Sequence, residues 1–477
     1  MTKNSFLRFK FNNDSFLPSL IIYGAGTTLN KFVPVFLVPI FTSVYTTEEY
    51  GLVDILTSIS FFIAVLGTIQ LESSVSRFYY EAETFQKKQI LVSTSFWVVM
   101  STSLFIIFLV LVNNGWIIML LGKGSNIEMI MVAAISILIF NLYSILAVVI
   151  RFEGKPLTFS IISFGQLIIT LTSTIILVVH IKIGVVGVFY GQAIGYLFGL
   201  IVLCWQLKNY FILRIDIKLL ISQFSFSVPL IPGVFVSWIN SHGVKIILLG
   251  FISLGQLGVL ASAMKVASIF MILENSIRLT WSPFFWKNFK LNNLKVFHQI
   301  YVYVVLALTL SMVFYTLFIE DLYKLVIDSS YWSGINLLIP LGFGFALNMI
   351  IPIVSMGAHI MKKTIYNSIV QLIATLFYVA MLLILTPVYG LLGIALSFLM
   401  SRVLLIIMFW LLHEKMYSMQ YSVKYFLVSM LNVAFIVSVM HYYDIPFELK
   451  VILAMGITTI NVFATKKYQQ RYKLINQ

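Results

Sequence analysis

The sequence predicts an all-α polytopic membrane protein of fourteen spans, twelve of them arranged as two like halves. Three observations carry that prediction. Of the 477 residues 60% are hydrophobic and 10% charged, with a mean hydropathy of +1.00, whereas a soluble domain carries about 25% charged residues. Apolar runs of the roughly 20 residues needed to cross a hydrocarbon layer about 30 Å thick recur along the whole chain. The basic residues then fall almost entirely on one side of those runs. A membrane β-barrel would instead show short alternating segments.

Taken in order, the spans lie at 16–42, 50–76, 89–112, 128–150, 157–179, 185–207, 223–250, 258–284, 296–319, 333–358, 366–386, 391–412, 425–442 and 449–464. Span one carries Lys31 near its middle, with Pro34 and Pro39 just beyond. The polar turn TTEEYG, Thr46 to Gly51, leads into span two, which ends in Gln70, Glu72 and Arg77. Spans thirteen and fourteen are the shortest. No loop exceeds about 16 residues, so no soluble catalytic or nucleotide-binding domain fits between spans. With the N-terminus in the cytoplasm, 22 basic residues lie on the inner side, four (Lys123, Lys182, Lys324, Lys450) on the outer side and five within spans. That bias follows the positive-inside rule and places both termini in the cytoplasm. The net charge of +14 is thereby explained without nucleic acid.

The chain repeats itself at an offset of about 206 residues. The turn ending at Gly51 answers SLGQLG, which ends at Gly258; QLIITL (Gln166 to Leu171) answers QLIATL (Gln371 to Leu376). IGVVG (Ile183 to Gly187) answers YGLLG (Tyr389 to Gly393), and RFEGKP (Arg151 to Pro156) answers HIMKKT (His359 to Thr364). Six spans fit between the copies, and an even number preserves orientation, so the repeat is parallel, about an axis along the membrane normal. The expected organisation is an N-terminal lobe at 1–208, a cytoplasmic connecting segment at 209–222 and a C-terminal lobe at 223–412. Residues 413–477 add spans thirteen and fourteen and a basic cytoplasmic tail. Two such lobes around a central cavity suit alternating access.

The remaining motifs mostly exclude. The single cysteine, Cys204, sits in an apolar span, so neither an intrachain disulfide nor a cysteine metal site is expected. No GxxxxGK[ST] phosphate loop occurs, the six histidines show no paired metal spacing, and no cofactor is implied. The opening MTKNSFLRFKFNND is polar and basic and leads into a full-length helix, unlike a cleavable signal peptide.

Several of these stretches resemble the Wzx-type polysaccharide flippases of the multidrug/oligosaccharidyl-lipid/polysaccharide exporter superfamily. The similarity lies in the polar midsection from Gly26 to Lys31, the Glu-Glu-Tyr-Gly turn at Glu48 to Gly51 and the Arg-x-Tyr-Tyr-Glu exit at Arg77 to Glu81. Span seven, SVPLIPGVFVSWINSHGVKIILLG, resembles the family's second-half opening, with Pro229, Pro232, Trp238 and Asn240; Ser241-His242 departs from the acidic residue that relatives often carry there. The resemblance implies a flippase, not an enzyme, moving undecaprenyl-pyrophosphate-linked oligosaccharide across the bacterial cytoplasmic membrane for O-antigen, capsule or exopolysaccharide synthesis. It implies membrane lipid, a polysaccharide polymerase and glycosyltransferases as partners, and an ion gradient of protons or sodium as the energy source.

Charges within spans are costly, about 2.5–3.5 kcal/mol each on insertion scales, and point to function. The substrate-binding candidates, as walls of a cationic cavity, are Lys31, Lys245, Lys265, Arg278 and Arg402. Lys31 can equally pair with Asp54 or Glu72, Lys245 can snorkel outward, and Arg402 can serve helix packing. Glu274 and Arg278, four residues apart, share a helix face and can form an ion pair or a gate. Lys265 lies thirteen residues before Arg278, roughly 220° around an ideal helix, so the two share a cavity only if the helix bends. Glu72 and Glu274 are the coupling or gating candidates; Glu72 can instead bridge to Arg77. Asp54 reads as a solvated or capping group, His242 as a hydrogen-bonded packing residue, and Tyr331-Trp332 as interface anchors. Trp238 and Trp281 are candidates for stacking on sugar rings. The rivals are a peptidoglycan-precursor flippase or a cation-coupled drug exporter of the same superfamily. A membrane-embedded glycosyltransferase or polymerase is a rival of another class, disfavoured by the short outer loops.

Overall fold

A computed structural model describes residues 37–475, apart from 122–124, 291–293, 362, 364, 420 and 443–445. Lys31, Pro34 and most of span one lie outside the described residues. Among those described, every regular element is helical and ten helices are long and apolar enough to cross a membrane, or eleven if one bent pair counts once. They correspond to spans two to twelve: Thr47–Glu81, Phe85–Val112, Ile127–Phe152, Leu157–His180, Val186–Gln206, Ile217–Leu248, the bent pair Leu254–Ala267 and Phe270–Trp286, Val296–Val326, Ser329–Ile360, Ile365–Tyr389 and Leu391–Met416. The expected thirteenth span appears as a shorter apolar helix, Val423–Val439. The fourteenth lies in Phe447–Ile475, whose last third is the polar run KKYQQRYK, and neither is among the ten. The all-helical polytopic fold is as expected; the count of fourteen is not reached among the described residues.

The chain divides into two compact units, 52–243 and 37–51 together with 244–475. In the first, lipid offers no hydrophobic drive for one apolar helix to join another, so close approach depends on small residues. Span six supplies Gly191, Gly195 and Gly199 at every fourth position. A Cβ at Gly195 would lie 1.8 Å from Thr170 Oγ1, and one at Gly191 2.1 Å from Thr174 Oγ1. Ser173 Oγ donates to the Gly191 carbonyl at 3.1 Å, tying spans five and six together. The core is completed by Leu71, Val75, Val92, Val99, Leu146, Val149 and Ile150, while Phe105, Phe108, Ile161 and Ile201 face outward. The connecting segment is fastened to span three: Ser93 Oγ donates to the Tyr210 carbonyl at 2.7 Å and accepts from Ile212 N–H at 2.8 Å, and Thr94 Oγ1 accepts from Asp216 N–H at 3.1 Å.

The second unit contains both repeated turns, and each is a capping box. Thr46 N–H donates to Glu49 Oε2 at 2.9 Å while Glu49 N–H donates to Thr46 Oγ1 at 3.2 Å. Ser253 N–H donates to Gln256 Oε1 at 3.0 Å while Gln256 N–H donates to Ser253 Oγ at 3.2 Å. Each satisfies helix-start donors that would otherwise lack partners. The two helix starts then meet reciprocally. A Cβ on Gly51 would sit 2.0 Å from the Leu254 carbonyl oxygen, and one on Gly258 1.9 Å from that of Thr47. The pairs share one offset (258 − 51 = 254 − 47), so the internal repeat is visible as a near-symmetric contact. Tyr331 closes the first turn by donating to the Tyr45 and Thr46 carbonyls, both at 2.9 Å. It is fully buried, which corrects the expectation of an interface anchor; its hydroxyl satisfies carbonyls ahead of a helix start. Trp332, at 40% exposure, does lie at the surface.

Adding one methyl at either glycine therefore forces backbone apart. Gly51→Ala and Gly258→Ala should each lower the apparent Tm of the purified protein, at a cost of about 1–3 kcal/mol typical of overpacking. Gly456→Ala, where a Cβ meets open space, should leave it unchanged in the same thermal unfolding series.

Candidate functional site

Several of the charged residues inside the spans lie beside helix interruptions. Span eight bends by 44° between Leu254–Ala267 and Phe270–Trp286. Ser268 Oγ there donates to the Lys265 carbonyl at 2.7 Å, one of the ways a hydroxyl bends a helix. Lys265 lies before the bend, half-buried, and Glu274 and Arg278 lie after it. The Arg278 guanidinium donates to Glu274 Oε1 as the expected i,i+4 ion pair. The Glu274 side chain is 11% exposed and that of Arg278 62%, so the carboxylate is enclosed while the arginine keeps an open side.

Arg402, on span twelve, is half-buried and stacks over the Phe398 ring one turn earlier, 4.9 Å to the centroid. Glu274 and Tyr378 are both within its electrostatic reach. One enclosed carboxylate thus lies within reach of two guanidiniums. Lys245 follows the π-turn Ile239–Gly243 of span seven and is 6% exposed, so its stem and head are enclosed instead of snorkelling to an interface. All four described cationic candidates lie in the second unit.

Glu72 lies in the first unit, just after a break in span two. Ile69 and Gln70 adopt φ of 49° and 57°, left-handed values that a β-branched isoleucine rarely takes. Glu72 then occupies the first turn of Leu71–Glu81, where free N–H groups favour a carboxylate. Ser144 Oγ donates to its Oε1, and Arg151 is within electrostatic reach. Arg77 is engaged elsewhere, with Glu81 at 3.6 Å and over the Phe226 ring at 4.6 Å.

Asp54 is 7% exposed, which corrects the reading of it as a solvated group: span two is enclosed at that level, not open to the interface. His242 stacks on Phe61 with centroids 4.6 Å apart and lies 3.5 Å from Ser58 Oγ, a packing role as expected. Trp238 donates its indole N–H to the Ser58 carbonyl at 3.2 Å and packs on Phe62 and Phe235. Trp281 is 4% exposed among Phe284, Phe285 and Phe297.

Sequence reasoning missed Asn141 and Ser144 of span four, two polar residues one turn apart in an apolar run, and Tyr378 beside Arg402. It also missed the ion pair of Lys450 Nζ with Asp321 Oδ2, at 2.6 Å, which fastens the last helix to span nine. Among the described residues no group of three or more His, Cys, Asp or Glu side chains could hold a metal ion.

This is the fold of a polytopic membrane protein, with a carboxylate enclosed beside guanidiniums in one unit and a carboxylate at a helix break in the other. The family of polysaccharide biosynthesis proteins matches residues 44–285, half of the chain. The chain belongs to that family. Among solved structures it is similar to the lipid II flippase MurJ in an inward closed conformation, with a TM-score of 0.73 and 17% identity over 95% of this chain and 100% of that one. It is similar to an inward-facing multidrug resistance MATE family transporter of the MOP superfamily, with a TM-score of 0.64 and 13% identity over 87% and 98%. A MOP superfamily transporter from Pyrococcus furiosus follows, with a TM-score of 0.50 and 14% identity over 85% and 95%. No curated protein matches the sequence. The fold is therefore that of the exporter superfamily anticipated from the sequence.

Enclosing a carboxylate between guanidiniums makes its removal costly to the rest of the cluster. Glu274→Gln should destabilise the protein by about 1–3 kcal/mol, the scale of a lost hydrogen bond to a charged group. Arg278→Gln, whose side chain is open to its surroundings, should cost clearly less when both are compared by thermal unfolding.

Proposed function

We propose that this protein is a flippase that moves undecaprenyl-pyrophosphate-linked oligosaccharide units across the bacterial cytoplasmic membrane for assembly of a surface polysaccharide, O-antigen, capsule or exopolysaccharide. The observation that supports this reading is the pair of guanidiniums, Arg278 and Arg402, at Glu274 within membrane spans of a polysaccharide biosynthesis protein. A pyrophosphate presents paired anionic oxygens, which match the planar fork of a guanidinium and bind it bidentately. Such cations are otherwise expensive in a bilayer, and a cargo that neutralises them in transit offsets that cost.

The transport cycle is alternating access between two lobes, 1–208 and 223–412, with both termini in the cytoplasm. No covalent bond is made or broken. The lobes expose the cationic site first to the cytoplasmic leaflet, where glycosyltransferases complete the unit, and then to the outer one, where a polymerase consumes it. Release from a cationic site needs an energy source, and in this reading Glu72 is the carboxylate that exchanges a coupling ion. Lys31, Trp238 and Trp281 are further proposed substrate contacts, the lysine for the pyrophosphate and the indoles for the sugars, once the phenylalanines that cover Trp281 move aside.

The similarity to MurJ favours one alternative cargo, a peptidoglycan precursor, which offers the same pyrophosphate on a lipid tail. Cells whose surface polysaccharide depends on this protein decide the matter. Arg402→Ala and Lys245→Ala should each cut surface polysaccharide about tenfold or more at normal protein levels, the scale of one charge-assisted contact. Arg402→Lys should rescue poorly because a lysine cannot fork. Unchanged polysaccharide in both alanine variants would sink the cationic-site reading, and flipping of labelled peptidoglycan precursor in place of the lipid-linked glycan would select the alternative.

A further inference from the structure

At the end of span twelve a cavity is lined by two buried polar groups that have no partner. His413 and Tyr421 are 3% and 7% exposed. His413 Nε2 and the Tyr421 hydroxyl are each enclosed with no hydrogen-bond partner among the described residues. Both side chains line one cavity, together with Trp410, Glu414 and Tyr417. Its volume, about 10 Å³, is room for one water-sized group. Buried polar groups almost always find partners, so two orphans on one cavity point to a ligand.

The surrounding contacts hold these two groups in place. Ala358 N–H donates to His413 Nδ1 at 2.9 Å. That bond fixes the tautomer: Nδ1 offers its lone pair, so in the neutral ring Nε2 carries the proton and is a donor. Gly357 brings this turn so close that a Cβ on it would lie 2.7 Å from the His413 carbonyl oxygen. The Tyr421 ring stacks on Tyr301 with centroids 4.8 Å apart, and the Tyr301 hydroxyl donates to the Ser422 carbonyl at 2.7 Å. Glu414, which accepts from Ser418 Oγ, gives the cavity wall a negative charge.

The chemistry of the missing group follows by elimination. It must accept from His413 Nε2–H and pair with the Tyr421 hydroxyl. An ammonium has no lone pair with which to accept. A phosphate or carboxylate oxygen would be set against Glu414. An alcohol hydroxyl is neutral, accepts from the imidazole and donates to the phenol oxygen. The cavity admits that one group, so the rest of the ligand lies outside it. There Lys415 and Lys424, on either side of the segment that carries Tyr421, are both exposed. Lysines at a span end attract lipid phosphate, and Trp410, Tyr417 and Tyr421 are residues typical of the headgroup level.

We propose that this cavity binds the hydroxylated headgroup of an anionic phospholipid, phosphatidylglycerol, with a glycerol hydroxyl between His413 Nε2 and Tyr421 and the phosphate at Lys415 and Lys424. The bound lipid clamps elements that already meet there: span nine through Tyr301, the end of span ten through Ala358, and the start of Val423–Val439. His413 lies eleven residues past Arg402 on the same helix, about 16 Å along its axis. The lipid site is therefore separate from the guanidinium cluster and does not rest on the transport reading.

The test compares two lipids of equal charge. Purified full-length protein in detergent micelles is given phosphatidylglycerol or phosphatidylethanol, which has the same phosphodiester but a headgroup ending in methyl. Native mass spectrometry reads the retained lipid, and thermal unfolding reads the stabilisation. Wild type should hold phosphatidylglycerol about fivefold more tightly, the scale of one neutral hydrogen bond, with the larger rise in Tm. Tyr421→Phe, which removes only the hydroxyl, should abolish that preference and keep the residual affinity for both lipids. Lys415→Gln combined with Lys424→Gln should weaken both lipids alike. Equal retention of the two lipids by wild type overturns the proposal, because the protein then reads charge alone. A preference that survives in Tyr421→Phe overturns it as well. Stabilisation by free glycerol that equals that by phosphatidylglycerol, and is lost in Tyr421→Phe, overturns it in favour of a soluble polyol. No response to any of the three leaves the cavity to water and overturns it too.

Discussion

Inside hydrocarbon a backbone N–H or C=O has no water to turn to, and that constraint decides where this chain can be irregular. Most spans answer it with an unbroken helix. Three of the places where they do not, the Ile69–Gln70 pair, the bend at Ser268 and the π-turn at Ile239–Gly243, recruit a side chain or a neighbouring span to compensate. They are also where several enclosed charges sit: Glu72 two residues past the first, Lys265 and Glu274 on either side of the second, Lys245 two residues past the third. An interruption frees backbone dipoles in a low-dielectric setting, and those dipoles are what make an enclosed charge tolerable. At these three places, charge and break go together, whereas Asp54 and Arg402 sit in unbroken helix.

The second unit shows what an internal repeat does physically. Two capping boxes start two helices, and two glycines allow each start to press on the other's first carbonyl. Neither approach survives a Cβ. The repeat thereby preserves a backbone distance, and the turn chemistry that holds it, while leaving the side chains further along each helix free to diverge.

Much of this was legible in the sequence, for identifiable reasons. Span positions follow from apolar runs, and eleven of the expected spans appear as helices within a few residues of their predicted ends. The capping boxes are readable as Thr-x-x-Glu and Ser-x-x-Gln, and the Glu274–Arg278 pair as an i,i+4 spacing. The break at Ile69–Gln70 was not readable, because neither proline nor glycine marks it; the packing of spans three and four around Gly67 imposes it. Burial of Asp54 and Tyr331 was missed for the same reason: hydropathy places residues along the membrane normal and says nothing about which face of a helix is enclosed. Asn141 carried a signal, a lone amide in an apolar span with Ser144 one turn on, that composition alone could not weigh.

Counting from the two capping boxes, the halves keep one frame and opposite chemistry. The positions matching Gly67, Leu71 and Glu72 in the second half are Glu274, Arg278 and Leu279. Where the first half has a glycine that lets an asparagine approach, the second has a carboxylate; where the first has its carboxylate, the second has leucine. A duplicated scaffold with identical charges in both halves would attract one kind of ion twice. Divergence at these matched positions instead sets the carboxylate of each half at a different level of the shared frame, Glu72 five positions past the level of Glu274.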